Sequence, residues 1–288
     1  MKKTAFAGRT AVITGAGGGI GRAAAVQAAA KGARLALTDV DAAGLEATVA
    51  LVADHVVHHE AFDIADEDAV AAFAHRTLLH GPVDIVMNVA GISVGGRIQD
   101  LTSKDWRDVV EVDLMGPIHV LSAFVPPMIA AGNGGHVVNV SSSAGLFGLP
   151  VRAPYSAAKF GLHGVSEVLR FDLEQHGIGV TLLCPGAVRT PLVSRSVLAG
   201  VDPQHPAIQK MFADFERQAV SPEDAAAAMI RGVEGGRYLV FTSHDVRTAH
   251  YLQRYVPWAY QRAMRRLNRR FSRIMAQAET ETAPYVWG

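Results

Sequence analysis

The apolar run Thr10-Ala11-Val12-Ile13 leads directly into Thr14-Gly15-Ala16-Gly17-Gly18-Gly19-Ile20-Gly21, and then into an alanine-rich helical stretch, Arg22 to Lys31. Glycine lets a backbone turn sharply and lie close to a ligand, and a helix N-terminus offers free N–H groups and partial positive charge to an anion. A glycine cluster by itself is more often a plain turn. Strand, glycines and helix in succession instead form a cradle for the pyrophosphate of a dinucleotide, with Gly15, Gly17, Gly19, Ile20 and Gly21 as its contacts. The next apolar run, Arg34-Leu35-Ala36-Leu37-Thr38, ends at Asp39, eighteen residues after Gly21. A carboxylate there accepts from both ribose hydroxyls and repels a 2′-phosphate, which favours NAD over NADP.

Outward from this unit the alternation continues: an amphipathic stretch near Ala42 to Ala53, a strand near Val56 to Phe62, a helix from about Glu67 to Leu79, and a strand Val83 to Met87. Strands and helices taking turns mean βαβ units and a parallel sheet, an α/β fold. Asp63 and Ile64 follow the third strand at the edge where an adenine would lie, although Asp63 equally suits the N-cap of the following helix. The fourth strand ends in Asn88-Val89-Ala90-Gly91, small residues at a C-terminal strand edge. His55, His58 and His59 do not share one strand face, so no metal site is read there.

The chemistry falls on Tyr155-Ser156-Ala157-Ala158-Lys159. In a helix, residues four apart share a face, so an ammonium at 159 stands beside a phenol at 155. A phenol titrates near pH ~10 and serves as a base at neutral pH only if a neighbouring cation favours its phenolate. Ser142 lies just past the apolar run Gly135 to Val140, which reads as a buried parallel strand. Its hydroxyl therefore faces the crevice in which open α/β sheets bind ligands. Tyr-x-x-x-Lys alone occurs on many solvated helix faces; its setting makes it specific.

Together, Thr14-Gly15-x-x-x-Gly19-Ile20-Gly21, Asn88-x-Ala90-Gly91, Ser142, Tyr155-x-x-x-Lys159 and Pro185-Gly186 with Thr190 make the chain resemble the short-chain dehydrogenase/reductase family, in its compact branch, over about Ala7 to Thr242. The resemblance implies a doubly wound Rossmann sheet of seven strands, NAD(P)-linked chemistry between alcohols and carbonyls, and homodimers or homotetramers. It also implies that Asn88, Ala90, Gly91, Pro185, Gly186, Val188 and Thr190 face the cofactor, the last two near the nicotinamide carboxamide. Without it, Pro185-Gly186 is an ordinary turn. The chain departs from the family at Val112-Asp113-Leu114-Met115-Gly116, where Asp113 stands in place of an asparagine. The family's asparagine position helps hold a water that passes protons from the lysine. An ionised carboxylate accepts hydrogen bonds but donates none. Asp113 is therefore harmless if the backbone does that work, costs turnover if a side-chain donor is needed, or is a plain helix-surface acid.

Leu192 to Ala219 lacks strand character and reads as a mobile lid, spanning about 191–220, whose apolar residues suit a lipophilic substrate or simply belong to the core. Ser221-Pro222-Glu223-Asp224 starts a helix to about Glu234, and Arg237 to Phe241 supplies a last strand. From Asp245 to Gly288 there are eight arginines against three acids. Pro257 can open a helix with Tyr260, Met264, Leu267, Phe271 and Ile274 along one stripe. Such a helix packs on its own domain or an oligomer interface, or lies on a partner or an anionic membrane surface.

The 288 residues therefore divide into an expected Rossmann domain over 1–244 and a basic helical extension over 245–288. The 27 basic and 27 acidic residues balance, which gives no sign of a nucleic-acid partner. One cysteine, Cys184, excludes an intrachain disulfide and fits a cytoplasmic chain, and Arg9 breaks the opening apolar run before it resembles a leader. No uninterrupted apolar run approaches ~18 residues, so no membrane span is expected. The reading is an NAD-dependent dehydrogenase for a hydrophobic secondary alcohol or the corresponding ketone, with Ser142, Tyr155 and Lys159 catalytic, Asp113 a further candidate beside them, and Tyr155 and Lys159 also facing the cofactor. An NADPH-dependent carbonyl reductase, or a cofactor-binding adaptor working through its basic helix, are the alternatives.

Overall fold

The alternating runs build a parallel sheet in a computed structural model that describes residues 4–280. Its elements in chain order are β1 (Thr10–Thr14), α1 (Gly19–Ala30), β2 (Arg34–Asp39), α2 (Ala42–Leu51), β3 (Val56–Ala61), α3 (Glu67–Leu78), β4 (Ile85–Asn88), the two-residue β5 (Val94–Gly95), α4 (Ser103–Val110), α5 (Gly116–Ala131), β6 (Gly135–Val140), α6 (Ala153–Asp172) and β7 (Ile178–Cys184). There follow α7 (Pro191–Ser194), β8 (Val197–Leu198), α8 (Pro206–Gln218), α9 (Pro222–Glu234), β9 (Leu239–Phe241), α10 (His244–Tyr255) and α11 (Pro257–Gln277). Seven strands form one sheet in the order β3-β2-β1-β4-β6-β7-β9. The strand order reverses between β1 and β4, which pair in parallel as Ala11 with Ile85, Val12 with Val86 and Ile13 with Met87. At such a reversal the two flanking connections leave in opposite directions, opening a crevice beyond the strands' C-terminal ends.

Strand alternation sorts the apolar residues onto two faces. Ile13, Leu35 and Met87 pack with Ala24, Ala28, Met229 and Val233 of α1 and α9. Val12, Val86 and Val137 pack with Phe73, Phe124 and Leu173 on the opposite side. The small side chains of α1 let it approach both the sheet and α9. Cys184 is fully buried among Leu146, Leu182 and Val246, a small hydrophobe in a core cluster.

Several expected boundaries shift. Asp66, whose carboxylate accepts from the Ala69 N–H at 3.0 Å, is the N-cap of α3, and Asp63 instead turns the preceding loop by accepting from Ala65 N–H at 2.9 Å. Between α4 and α5 the helix widens into a π-helical stretch, Glu111–Met115. The continuous helix Ser103–Ala131 contains a window apolar and long enough to cross a membrane by length and composition, contrary to the expectation drawn from uninterrupted runs. Here Val120, Leu121, Phe124, Val125 and Met128 are buried in the core. The segment expected to be a strandless lid contains β8, paired in parallel with β5, and α8. Met275 and Ala278 at the end of α11 are buried with Val201 and Ile208 of that segment, and Arg97 joins Glu279 at 2.7 Å. Residues 281–288 of the basic extension lie outside the described residues.

His136, in the centre of the sheet, is fully buried. Thr181 Oγ1 donates to the Arg237 carbonyl at 2.7 Å, so at 2.8 Å it accepts from the imidazole Nε2–H. Burial pulls the His136 pKa from 6.5 down to about 4. A neutral imidazole is thus favoured by folding: its contribution is complete above pH 6.5 and is lost as pH falls toward 4. Stability is expected to fall by about 3 kcal/mol over that interval, measured by urea unfolding at a series of pH values, and His136→Gln should flatten this part of the curve.

Candidate active site

The crevice at the C-terminal ends of β1 and β4 opens into a cleft of about 1010 Å³, reaching from the glycine turn to the helices of the C-terminal region. At its nucleotide end, Gly15 has φ +67° and a Cβ there would lie 2.7 Å from the Ala90 backbone nitrogen. Gly19 has φ +49°, and Gly17 has no room for a Cβ, which would lie 2.8 Å from the Asp39 carboxyl carbon. Gly15 is held by neighbouring backbone and by its positive φ, Gly19 by its positive φ, and Gly17 by the Asp39 side chain that fills the space a Cβ would need. No side chain caps the N-terminus of α1, so its first N–H groups remain open to the cleft. An anion-binding helix end beneath a floor free of side chains fits a dinucleotide pyrophosphate.

Asp39 closes the far side of this cradle. Its Oδ2 accepts from the Gly17 N–H at 2.7 Å and its Oδ1 from the Asp41 N–H at 2.9 Å, which fixes the carboxylate at the end of β2. Arg22, unremarked in the sequence, lies beside it. Its Nε donates to Thr48 Oγ1 at 2.9 Å, and its Nη2 to the carbonyls of Gly17 and Gly44. The guanidinium thereby stitches α1 to α2, turned to neutral oxygens. Asp63, Ile64, Ala90, Gly91, Pro185, Gly186, Val188 and Thr190 line the same cleft with Ile20 and Gly21.

Asn88 does not reach it. The side chain is buried between strands, donating to Asn139 Oδ1 at 2.9 Å, while Asn139 Nδ2 donates to Ser166 Oγ at 2.9 Å. Parity explains the displacement: Val89 and Ala90, whose N–H groups bond Thr14 Oγ1 at 3.0 and 3.1 Å, already carry the chain into the crevice. Asn88 instead secures β4 to β6 and, through Ser166, to α6.

The reactive end of the cleft brings Ser142, Tyr155 and Lys159 together. Ser142 sits just beyond β6, where its Oγ accepts from the Ala144 N–H at 3.1 Å, and it lines the cleft together with Tyr155. Tyr155 and Lys159 occupy one face of α6, with Nζ 5.7 Å from the ring centre. Nζ donates to the Val140 carbonyl at 3.2 Å and lies 3.4 Å from Asp113 Oδ2. Asp113 is fully buried outside the cleft, in the π-helical stretch, and its Oδ1 accepts from the Ile92 N–H at 2.7 Å. It is neither a helix-surface acid nor in reach of a substrate. Its carboxylate acts through Lys159. Gly91 makes room for this pair, since a Cβ would stand 3.0 Å from Asp113 Oδ1 and 3.4 Å from Nζ.

The charges of this cluster oppose one another. Burial raises the Tyr155 pKa; the Lys159 ammonium works against that, the Asp113 carboxylate adds to it, and Ser142 and Arg152 favour the phenolate. The phenol thus stands above its usual range, not below it as Lys159 alone would place it. Burial works against the Lys159 charge, but Asp113 and Tyr155 outweigh it, so the ammonium is held above its ordinary pKa. Burial likewise pushes Asp113 up, countered by Lys159 and the Ile92 N–H.

The remainder of the cleft is a substrate half that local sequence pattern could not assemble. Leu149, Pro150 and Arg152 come from the loop before α6, Leu192 and Val193 from α7, Met211, Phe212 and Phe215 from α8, and Leu267, Phe271 and Ile274 from α11. The apolar stripe of α11, legible by its spacing, is thus a wall of the cleft.

Residues 9–198 match the family model described as short chain dehydrogenase. The chain is 38% identical over 268 residues to the oxidoreductase SadH of Mycobacterium tuberculosis, covering 90% of this chain and 95% of that one. It is 34% identical over 202 residues to a 2,5-dichloro-2,5-cyclohexadiene-1,4-diol dehydrogenase of Sphingobium indicum, covering 69% and 80%. A short-chain dehydrogenase/reductase from Burkholderia phymatum, solved in complex with NAD, superposes with a TM-score of 0.80 at 27% identity, covering 99% of this chain and 100% of that one. The seven-stranded doubly wound sheet, the glycine cradle and these matches place the chain in the short-chain dehydrogenase/reductase family, as an NAD(P)-dependent oxidoreductase.

Proposed function

We propose that the protein oxidises a hydrophobic secondary alcohol to a ketone, or runs the reverse reaction, with NAD as its cofactor. The observation that carries this reading is the convergence of Ser142, Tyr155 and Lys159 on one wall of a cleft whose other end is the glycine cradle. When bound, the nicotinamide ring supplies the acceptor for the carbinol hydride. The Tyr155 phenolate takes the hydroxyl proton as the C–O bond gains double-bond character. Ser142 donates a hydrogen bond to the same oxygen and steadies the charge that develops there. Lys159 keeps a full positive charge beside the phenol, anchored by the Val140 carbonyl and Asp113.

The preference for NAD rests on Asp39. Its carboxylate stands at the end of β2, where a 2′-phosphate would meet like charge, and Arg22 beside it is committed to Gly17, Gly44 and Thr48. The NAD complex of the Burkholderia phymatum protein supports the same choice. Apolar side chains around the reactive end support a lipophilic substrate, and the Sphingobium indicum relative, a dehydrogenase of a ring diol by name, supports oxidation at CH–OH. Phe160, Val168 and Phe171, exposed on α6, support assembly with a second copy of the chain.

Tyr155→Phe is expected to lower kcat by about 10²–10⁴-fold while leaving the NAD⁺ dissociation constant unchanged; turnover retained within a few-fold would remove the mechanism. Asp39→Ser is expected to raise kcat/KM with NADP⁺ relative to NAD⁺ by about tenfold or more, the effect of deleting one close like charge. Asp113→Asn removes a charge that raises the phenol pKa, while its amide oxygen can still accept from Ile92. Alcohol oxidation needs the phenolate, so its rate climbs with pH as the phenol ionises. The rising limb of the kcat/KM profile is therefore expected to move to lower pH in this variant, measured with a fixed secondary alcohol and saturating NAD⁺.

A further inference from the structure

We propose that Arg152 is a substrate-recognition residue, and that the substrate is an apolar hydroxy acid or keto acid whose carboxylate it holds. This deepens, and rests on, the alcohol–ketone reading above. Arg152 lies three residues before Tyr155, at the start of α6, and lines the same cleft. Its Nη1 donates to Ser93 Oγ at 2.7 Å and to Ser196 Oγ at 2.8 Å. Those hydroxyls are neutral, and they occupy only the two hydrogens of Nη1. The opposite edge of the guanidinium, Nε–H and Nη2–H, has no partner among the described residues. These are two parallel donors in one plane, the spacing that matches the two oxygens of a carboxylate.

No carboxylate pairs with Arg152 among the described residues; Arg22 likewise bonds only neutral oxygens, but it uses Nε and Nη2 to do so, whereas Arg9 and Arg97 each meet an acid. Arg9 meets Asp84 at 2.8 Å, and Arg97 meets Asp100 at 2.6 Å and Glu279 at 2.7 Å. Of the acids nearest the reactive end, Asp113 faces Lys159, and Asp108 pairs with Lys104 at 2.5 Å. Burial works against the Arg152 charge, and among the described residues only the Tyr155 phenolate would offset it. A cation drawn out of water without a fixed counter-charge is costly unless a ligand brings one.

The backbone holds this side chain in place at some cost. Val151 has φ +56°, a conformation that a β-branched residue rarely adopts. Its carbonyl accepts from the Gly96 N–H at 2.9 Å, and Gly95 leaves room for that carbonyl, where a Cβ would lie 2.4 Å away. The strain therefore fixes the direction in which the next residue enters the cleft. A pure fastener between α6 and the segment carrying Ser196 would need only Nη1. The open Nε/Nη2 edge is what a ligand would use. Leu149, Pro150, Met211, Phe212 and Phe215 line the same cleft and would give the rest of the substrate an apolar bed.

The test compares equilibrium binding of decanoate with that of decanamide to the full chain in saturating NAD⁺, by titration calorimetry. Decanoate is expected to bind at least about tenfold tighter, and Arg152→Gln, checked for folding by its thermal melt, to bring the two affinities together. Arg152→Lys, which keeps the charge and loses the fork, should fall between. Equal affinities in the unmodified protein, or a preference that survives Arg152→Gln, would overturn the proposal. Turnover is scored separately with 3-hydroxydecanoate and its methyl ester. Absence of turnover on every alcohol and ketone tried would overturn the dehydrogenase reading and leave the binding result to judge Arg152.

Discussion

A buried ammonium organises the reactive end of this protein. Lys159 Nζ is nearly inaccessible to water and is held by one carbonyl, that of Val140, and one carboxylate, that of Asp113. A charge in such a place needs partners fixed before it arrives, and the fold supplies them from three elements: the end of β6, the π-helical stretch between α4 and α5, and α6 itself. The π-helical widening turns Asp113 inward, and the bare backbone at Gly91 leaves space for the pair. Tyr155, one turn before Lys159, inherits both its orientation and its electrostatics from this arrangement. The carboxylate that anchors the lysine also opposes ionisation of the phenol.

The nucleotide end obeys a different constraint, which is space. Where β1 and β4 diverge, main chain approaches Gly15 and the Asp39 carboxylate approaches Gly17 closely enough to leave no room for a side chain, and α1 begins with uncapped N–H groups. Asp39 reinforces the cradle by accepting from Gly17, so the residue proposed to choose the cofactor also shapes the loop that would hold it. Asn88 and Asn139 tie the neighbouring strands together beneath this floor, which keeps the crevice rigid while its lining stays small.

The substrate half is assembled from segments distant in sequence. The loop before α6, the α7–α8 segment and α11 meet across the opening, and the paired β5 and β8 hold the segment against the body. Leu267, Phe271 and Ile274 of α11 close the cleft together with Arg270, which pairs with Asp214 of α8 at 3.1 Å. The helix that read as a separable basic extension thus contributes to the pocket.

How far the sequence could be read follows from how local each signal is. The seven parallel strands, the glycine cradle, Asp39 and the Tyr155–Lys159 pair were all legible, because each depends on periodicity or on residues within one turn or one strand–helix unit. Asn88 was misplaced because one residue of strand parity separates a crevice contact from a bond between strands. Asp113 could be flagged as a departure, but whether its carboxylate met water or an ammonium depended on a π-helical turn that the sequence does not announce. Arg22 and Arg152 carry no local sequence signal, since a guanidinium's partners come from other elements. Local pattern alone determined the layered sheet and picked out the Tyr155–Lys159 pair on one helix face. Which charges face one another, and which donors remain free, was decided only by tertiary packing, because electrostatic environment is set by neighbours in space and not in the chain.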